Sequence, residues 1–181
     1  FLLAGHMNLS EYEANLTFAF TASQAMMVLQ SLPGSFNDLI EKTANAINAE
    51  YVFIDLNPGL STINQDFFLI SDAFIIPTNP DTFSLMAIKS LSQILPRWVD
   101  WKKRNIAEYE SSAYPLPEGT PKFIRSLPQR FNIRNGMPTK PFRVKIDELQ
   151  RIIDDTLMPA LQNAGMLFTP AQYSNAGIDG G

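Results

Sequence analysis

The chain has 181 residues, of which 45% are hydrophobic, and it carries a formal net charge of −4. This length and composition predict one folded domain with a sizeable core and exclude a disordered chain. The lack of cysteine excludes disulfides and thiolate metal sites, and the single histidine, His6, argues against a catalytic triad or a multi-histidine metal site. No apolar run is long enough to span a membrane, so we expect no membrane partner. The lack of cysteine suits the cytosol, and we expect a cytoplasmic protein.

The first fifty residues predict a strand followed by two helices. Phe1–Ala4 is interpreted as a buried strand, and Ser10 with Glu13 forms an S-x-x-E capping box for a helix that reaches about residue 30. Pro33 and Gly34 predict a turn. The apolar stripe of a second amphipathic helix follows at Phe36, Leu39, Ile40, Ala44 and Ile47.

The middle of the chain predicts a strand–helix–strand unit. Two apolar runs, Tyr51–Ile54 and Ala73–Ile76, do not alternate with polar residues, which predicts strands buried on both faces. Ser61 or Thr62 caps a short helix between them. A strand, a helix and a second strand in this order predict a parallel sheet.

Polar loops follow both predicted strands, at Asp55–Gly59 and at Pro77–Asp81. Ligands of open α/β sheets bind at the carboxyl ends of the strands. A carboxylate at that end of a buried strand needs a cation, and Mg²⁺ with its waters is the usual cation beside a phosphate. Asp55 after an apolar strand, with Gly59 four residues later, is therefore typical of the second nucleotide motif (Walker B) of P-loop NTPases. An aspartate that only caps the next turn is the alternative.

The second half of the chain predicts two long helices and one further strand. Asp81 or Thr82 caps the first helix, which Pro96 breaks or kinks, and the charged run at residues 101–104 is interpreted as a solvated face. A strand is predicted at about 122–127 and an irregular loop at 132–140.

The last long helix is predicted to begin near Pro141, which suits a first helical turn. Residues 166–169 are a candidate for a short last strand. We expect one α/β domain at residues 1–165 and a C-terminal tail at 166–181.

The charge is unevenly distributed along the chain. Residues 122–151 carry eight basic and two acidic side chains, a net +6, so the rest of the chain carries −10. This asymmetry indicates a surface that faces a polyanion, and a solvated basic helix face is the alternative.

The order of these motifs resembles the ParA/MinD-type family of deviant P-loop ATPases, in particular its plasmid and chromosome partition branch. The stretches that carry the resemblance are Phe1–Gly5, Leu9–Glu13, Asp55–Gly59, Ser71–Ala73, Ile75–Asp81, Lys122–Arg134 and Gly136–Lys140. The resemblance implies an α/β fold with a mostly parallel central sheet flanked by helices, of the P-loop NTPase or Rossmann-like type. It implies that the fold is truncated at its N-terminal part.

The resemblance also implies site residues for ATP and Mg²⁺. Asp55 is implied as the catalytic carboxylate on the Mg²⁺ side, bound through water, and Gly59 as the glycine of the switch loop that senses the terminal phosphate. The residues implied to border the adenine are Pro77, Thr78, Asn79 and Pro80. Gln129 and Arg130 fall where relatives end a strand near the base. Asn57 and Asn64 are interpreted as turn or cap residues, with a direct nucleotide role as the alternative.

None of the nine glycines is followed by lysine, so the chain contains no G-x-x-x-x-G-K-[ST] phosphate-binding loop. We therefore interpret the chain as the later part of such an ATPase. We expect that these 181 residues alone neither bind ATP tightly nor hydrolyse it. Because one side of the sheet is expected to be open, we expect the chain to self-associate, to exchange elements between copies, or to be the ordered part of a longer molecule.

Two hypotheses for the function follow. In the first, the complete protein is a ParA-like partition ATPase, a homodimer that binds DNA nonspecifically when ATP is bound and that a ParB-like partner stimulates. The DNA-binding candidates are Arg130, Arg134, Lys140 and Arg143. In the second, the chain is a non-catalytic paralogue or split product that acts as a protein-interaction module. A MinD-like membrane cycler fits less well, because the end of the chain, Asn175–Gly181, is not a basic amphipathic helix.

Overall fold

The computed structural model describes residues 2–22, 27–134 and 136–178. The chain is α/β, with several helices and a small parallel sheet, and it divides into two compact units. Unit 1 consists of Phe1–Ser71 and Lys102–Gly119, and unit 2 of Asp72–Trp101 and Thr120–Gly181. The predicted division into a domain at 1–165 and a tail at 166–181 stays a prediction.

Unit 1 is built from helices. Its α-helices are α1 (Glu13–Ala22), α2 (Leu32–Ala46) and α3 (Thr62–Ile70), and its 3₁₀ turns are Met7–Tyr12, Met27–Ser31 and Ile106–Glu108. The three α-helices pack on one another. The buried side chains around which they pack are Leu16, Ala19, Phe20, Ile63, Phe68, Leu69, Tyr109 and Leu116.

Unit 2 contains the strands and the remaining helices. Its elements are β1 (Ala73–Thr78), α4 (Thr82–Asn105), β2 (Lys122–Pro128), β3 (Ile133–Arg134), β4 (Met137–Pro138), α5 (Lys140–Ile152), a π-helical turn (Ile153–Leu157), α6 (Met158–Asn163) and α7 (Pro170–Asn175). The last turn of α4 belongs to unit 1. Sequence patterning did not predict the short helix α7.

The parallel sheet confirms two of the predicted strands. β1 and β2 pair in parallel from Ala73 opposite Lys122 to Thr78 opposite Pro128. The prediction that β1 is buried on both faces is wrong, because Ile75 is 44% exposed while its neighbour Ile76 is buried. Among the described residues this sheet has two strands, so the larger central sheet that the resemblance implied is not observed here.

Two other predicted strands do not form. The run Tyr51–Ile54 has no regular structure, and Tyr51 and Phe53 are 75% and 91% exposed. Residues 2–4 are likewise irregular and exposed, and Phe1 lies outside the described residues. A strand forms by exchanging backbone hydrogen bonds with a neighbour. No described strand pairs with either segment, so apolar character alone did not make them strands.

Several helix boundaries also differ from the predictions. Pro33 and Gly34 lie in the first turn of α2 instead of in a turn, because proline suits that position. The predicted helix to residue 30 is a 3₁₀ turn, α1 and a second 3₁₀ turn, with residues 23–26 outside the described ranges. α4 continues through Pro96 to Asn105.

No helix within residues 2–22, 27–134 and 136–178 is both long and apolar enough to cross a bilayer.

Candidate functional site

The predicted Mg²⁺ loop, Asp55–Gly59, is exposed and leads directly into α3 in unit 1. Ser61 is the N-cap of that helix, and its Oγ accepts a hydrogen bond from the Asn64 backbone N–H at 3.2 Å. This confirms the predicted cap and places the Asp55 side chain in the segment just before a helix N-terminus. Backbone N–H groups and the helix dipole favour anions near such an end.

A buried amide holds the end of this loop. Asn64 is 3% exposed, and its Nδ2 donates to the Asn57 carbonyl oxygen at 2.9 Å, to Asn57 Oδ1 at 2.8 Å and to the Gly59 carbonyl oxygen at 2.8 Å. The side chain of Asn64 therefore contacts the loop, while its backbone N–H serves the helix cap. Sequence analysis had interpreted Asn57 and Asn64 as turn or cap residues, with a direct nucleotide role as the alternative, and had not predicted a contact between them.

Gly59 faces this amide cluster. A Cβ at Gly59 would lie 3.3 Å from Asn57 Oδ1 and 4.0 Å from Asn64 Nδ2. The first distance is shorter than most Cβ contacts, so a side chain at this position would press on the hydrogen-bonded pair. This packing explains why position 59 has no side chain, in addition to the predicted close approach of a phosphate.

The predicted adenine loop, Pro77–Pro80, lies in unit 2 at the carboxyl end of the two-stranded sheet. Thr78 is the last residue of β1, and its carbonyl oxygen accepts a hydrogen bond from the Gln129 N–H at 2.7 Å. The Asn79 N–H donates to Ser84 Oγ at 2.9 Å, and Asp81 Oδ1 accepts from the Ser84 N–H at 2.7 Å. The side chain of Asp81 therefore caps α4, as one of the two predicted alternatives stated.

Thr78 has a buried hydroxyl that the described residues leave unsatisfied. The residue is 5% exposed, and its Oγ1 has no hydrogen-bond partner within the described part of the chain. Burying a hydroxyl without a partner costs free energy. Such a group at the carboxyl end of a parallel strand is positioned to bond a ligand.

The four predicted DNA-binding residues are all exposed in unit 2. Arg134 lies in β3 of a small antiparallel hairpin, and Lys140 and Arg143 lie in the first turn of α5. Arg130 has a φ of 53°, a left-handed conformation that is uncommon for a residue with a side chain. The hairpin itself was missed, since residues 132–140 were predicted as an irregular loop. The dipeptide Asn135–Gly136 was the available signal, because it is typical of tight hairpins.

Two buried titratable side chains in unit 1 were also missed. Asp66 in α3 is 0% exposed and Lys102 in α4 is 3% exposed. The run at 101–104 was predicted as a solvated face, and that prediction is wrong for Lys102, whose Nζ donates to the Leu69 carbonyl oxygen at 2.6 Å. The helical stripe of α4 was the available signal, because Leu95, Val99 and Lys102 share one face at spacings of three and four.

Each predicted loop is compared by itself with the ligand groups that the resemblance implied for it. In the described chain no group of three or more His, Cys, Asp or Glu side chains is arranged to hold a metal ion. Mg²⁺ beside a nucleotide is usually held by one or two carboxylates together with substrate phosphates and water, and the exposed carboxylate of Asp55 in unit 1 fits that role. The orphaned Thr78 hydroxyl fits a nucleobase or another polar ligand group. The two loops belong to different compact units.

A family model described as an AAA domain matches residues 1–107, more than half of the chain. The chain therefore belongs to this family of P-loop ATPase-type domains, which includes ParA- and MinD-like proteins. No curated protein and no solved structure matches the chain.

Proposed function

We propose that the chain is part of a ParA-like partition ATPase, which segregates plasmids or chromosomes by ATP-dependent dimerisation and nonspecific DNA binding. One observation carries the proposal: the two loops of the partition pattern, Asp55–Gly59 and Pro77–Asp81, occur in order within a chain of the P-loop ATPase type, and each leads into a helix, α3 or α4. The membership of the family supports ATP as the ligand class. The partition branch rests on the motif order that extends from Asp55 to Lys140.

Asp55 would hold Mg²⁺ through water, and the ion would supply charge neutralisation at the phosphates of ATP. Gly59 leaves room for a phosphate to approach the backbone of the loop. Thr78 offers a hydroxyl to the base, while the Asn79 backbone N–H already donates to Ser84 Oγ and holds this loop against the start of α4. In this proposal the phosphate cradle comes from a G-x-x-x-x-G-K-[ST] segment outside these 181 residues.

The basic segment supports the DNA-binding half of the proposal. Arg130, Arg134, Lys140 and Arg143 are exposed, and they lie within a short stretch of unit 2 that has a hairpin and a helix start. Guanidinium and ammonium groups bind DNA phosphates without reading the base sequence. Such contacts suit a protein that binds DNA nonspecifically.

Calorimetry with Mg-ATP tests the proposal. The product of the complete coding sequence should bind Mg-ATP with a Kd in the micromolar range, whereas the 181 residues alone should show no heat of binding at the same concentrations. Failure of the complete product to bind ATP would contradict the proposal. Tight binding by the 181 residues alone would show that their phosphate site does not need a Gly-Lys loop.

One observation favours a second candidate, a non-catalytic protein-interaction module. Residues 51–53 form an exposed apolar segment in which Phe53 is 91% accessible. Large exposed apolar side chains that lie together are typical of interaction sites. If this candidate is right, replacing Phe53 by serine would abolish association with a partner. ATP turnover separates the two candidates, because the first predicts turnover by the complete product and the second predicts none.

A further inference from the structure

We propose that Asn64 is a positioning residue, whose buried side-chain amide ties the Asp55–Gly59 loop to the first turn of α3. By fixing the loop it fixes the place from which the Asp55 carboxylate acts. The effect on catalysis rests on the proposed ATPase function. The hydrogen bonds from the Asn64 side chain to the loop, called the tie below, are a property of this chain and can be tested on it.

The tie consists of three contacts from one nitrogen. Asn64 Nδ2 lies 2.8–2.9 Å from three acceptors, the Asn57 carbonyl oxygen, Asn57 Oδ1 and the Gly59 carbonyl oxygen. An amide –NH₂ has two hydrogens, so one of them is shared between two acceptors. The two carbonyls lie on either side of Pro58, whose ring already fixes its φ angle. The end of the loop therefore has little freedom while these bonds last.

Burial makes the tie costly to break. Asn64 is 3% exposed, so a loop that moved away would leave a buried amide without its acceptors. The free-energy penalty of an unsatisfied buried donor exceeds the net gain of an ordinary hydrogen bond. Movement of the loop is thus coupled to breaking the bonds of Asn64.

The helix end that carries Asn64 is itself held in place. The Thr62 N–H donates to the Glu13 carboxylate at 2.8 Å, and the hydroxyls of Thr62 and Thr17 lie 2.6 Å apart. Both partners belong to α1, so the loop is connected through Asn64 and the first turn of α3 to a second helix. A loop anchored in this way is pre-organised, which is what a metal-side carboxylate requires for catalysis.

A capping role does not account for the side chain of Asn64. The group of Asn64 that Ser61 caps is its backbone N–H. The side chain contributes nothing to that bond and instead satisfies carbonyls outside the helix. Removing the amide should therefore release the loop and leave the helix intact.

The substitution Asn64→Asp tests the tie in the 181-residue chain. It keeps the shape of the side chain, but at neutral pH it places a carboxylate against three oxygen acceptors. A negative charge in the first turn favours the helix, so α3 is expected to remain folded. NMR order parameters of the Asn57 and Gly59 amides should fall from about 0.8 to below about 0.6, while those of α5 stay unchanged.

A pH titration separates this role from a general structural defect. The protonated carboxyl of the Asn64→Asp variant has one O–H donor, so acidification should restore part of the order of the loop. Asn57→Ala, an exposed position, should give an intermediate loss because it removes one of the three acceptors. Asn45→Asp makes the same chemical change at an exposed position of α2 and should leave the loop unchanged.

The proposal would be overturned if the order parameters of Asn57 and Gly59 were the same in wild type and in Asn64→Asp. It would also be overturned if the order parameters fell in the variant and acidification did not raise them again. The product of the complete coding sequence extends the test to turnover, where Asn64→Asp should lower kcat about tenfold with little change in KM. If the wild-type product does not hydrolyse ATP, the proposed function fails while the NMR result still decides the role of Asn64.

Discussion

Asp66 and Lys102 come from different helices of unit 1 and are both buried, with exposed fractions of 0% and 3%. Burial raises the pKa of the Asp66 carboxyl well above its usual range, and the positive charge of Lys102 opposes this shift without cancelling it. Neither carboxyl oxygen has a hydrogen-bond partner in the described part of the chain. The folded protein therefore favours the neutral acid at this position.

Because the pKa of Asp66 is raised in the folded state, we expect the free energy of unfolding to fall as the pH rises. The pKa of Asp66 in the folded state lies above the unfolded value of about 3.9. The contribution of Asp66 to the free energy of unfolding is therefore fully present below about pH 3.9, and it is lost as the pH rises towards the folded-state pKa. The free energy of unfolding should fall by up to about 1.4 kcal/mol per pH unit in this window. Asp66→Asn cannot ionise and should remove that slope in urea unfolding between pH 4 and 8.

Asp147→Asn, at an exposed position of α5, is the matched control and should keep the slope. An Asp66→Asn variant with the same pH dependence as wild type would show that the carboxyl is charged in the folded state. Lys102 keeps the Leu69 carbonyl as a partner in the variant, so the substitution does not leave the ammonium unpaired.

Replacing Gly34 by alanine is expected to destabilise the protein, although alanine has a higher helix propensity than glycine. A Cβ at this position would lie 2.5 Å from the Pro115 carbonyl oxygen and closer still to the Tyr114 carbonyl oxygen. Gly→Ala within a helix otherwise stabilises by about 1 kcal/mol. Here the clash with backbone should make Gly34→Ala destabilising by about 1–3 kcal/mol in thermal or urea unfolding. Gly5→Ala, where a Cβ meets no atom within 4 Å, should have little effect, and a stable Gly34→Ala variant would contradict this packing.

Removing the hydroxyl of Thr78 is expected to raise the stability of the protein and to weaken ligand binding. Thr78→Val replaces a buried hydroxyl that lacks a partner by a methyl group of the same shape, so the free energy of unfolding should rise by about 1 kcal/mol. If the hydroxyl bonds the nucleotide, the affinity of the complete product for Mg-ATP should fall about tenfold. Thr43→Val removes a hydroxyl that donates to the Leu39 carbonyl at 2.7 Å, and it should not change the affinity. Lower stability with unchanged affinity in Thr78→Val would remove Thr78 from the site.

The basic segment predicts a salt-dependent DNA affinity. Each lost phosphate contact lowers the slope of log K against log salt by about 0.9. Arg134→Ala combined with Arg143→Ala should therefore lower the slope by about two units in the ATP-bound complete product, measured by fluorescence anisotropy on DNA of random sequence. Lys89→Ala, exposed in α4 outside the segment, is the control. DNA binding that is indifferent to salt, or to both substitutions, would contradict the assignment.

Local signals correctly predicted the helices that follow the two loops and the strand that precedes the second loop. Ser61 was one of two cap candidates, with Thr62, from residue type and position, and the strands near Ala73 and Lys122 were predicted from short apolar runs. These features depend on interactions between residues close in sequence or on strong patterning. Tyr51–Ile54 has equally strong patterning, but a strand also needs a neighbour, and patterning within a run does not supply one.

Periodicity places Lys102 on the buried face of α4, but it encodes neither the hydrogen-bond partner of Lys102 nor those of Asn64. Asn64 bonds a loop five to seven residues earlier, and asparagine is favoured both at helix caps and in turns, so its residue type did not indicate this contact. Lys102 is separated from its acceptor, Leu69, by 33 residues. A charged residue beside two other basic residues is usually solvated, so the sequence favoured the wrong environment for it.

The central claim is that Asp55 acts at the Mg²⁺ of a bound ATP, and ATP turnover by the product of the complete coding sequence tests it most directly. Asp55→Ala should lower kcat by about 10²–10³ while the Kd for nucleotide changes less, because stabilisation of developing charge matters most in the transition state. Asp147→Ala, exposed on α5, should retain the wild-type rate. Wild-type turnover in the Asp55→Ala variant would show that Asp55 only caps a turn and that the site lies elsewhere.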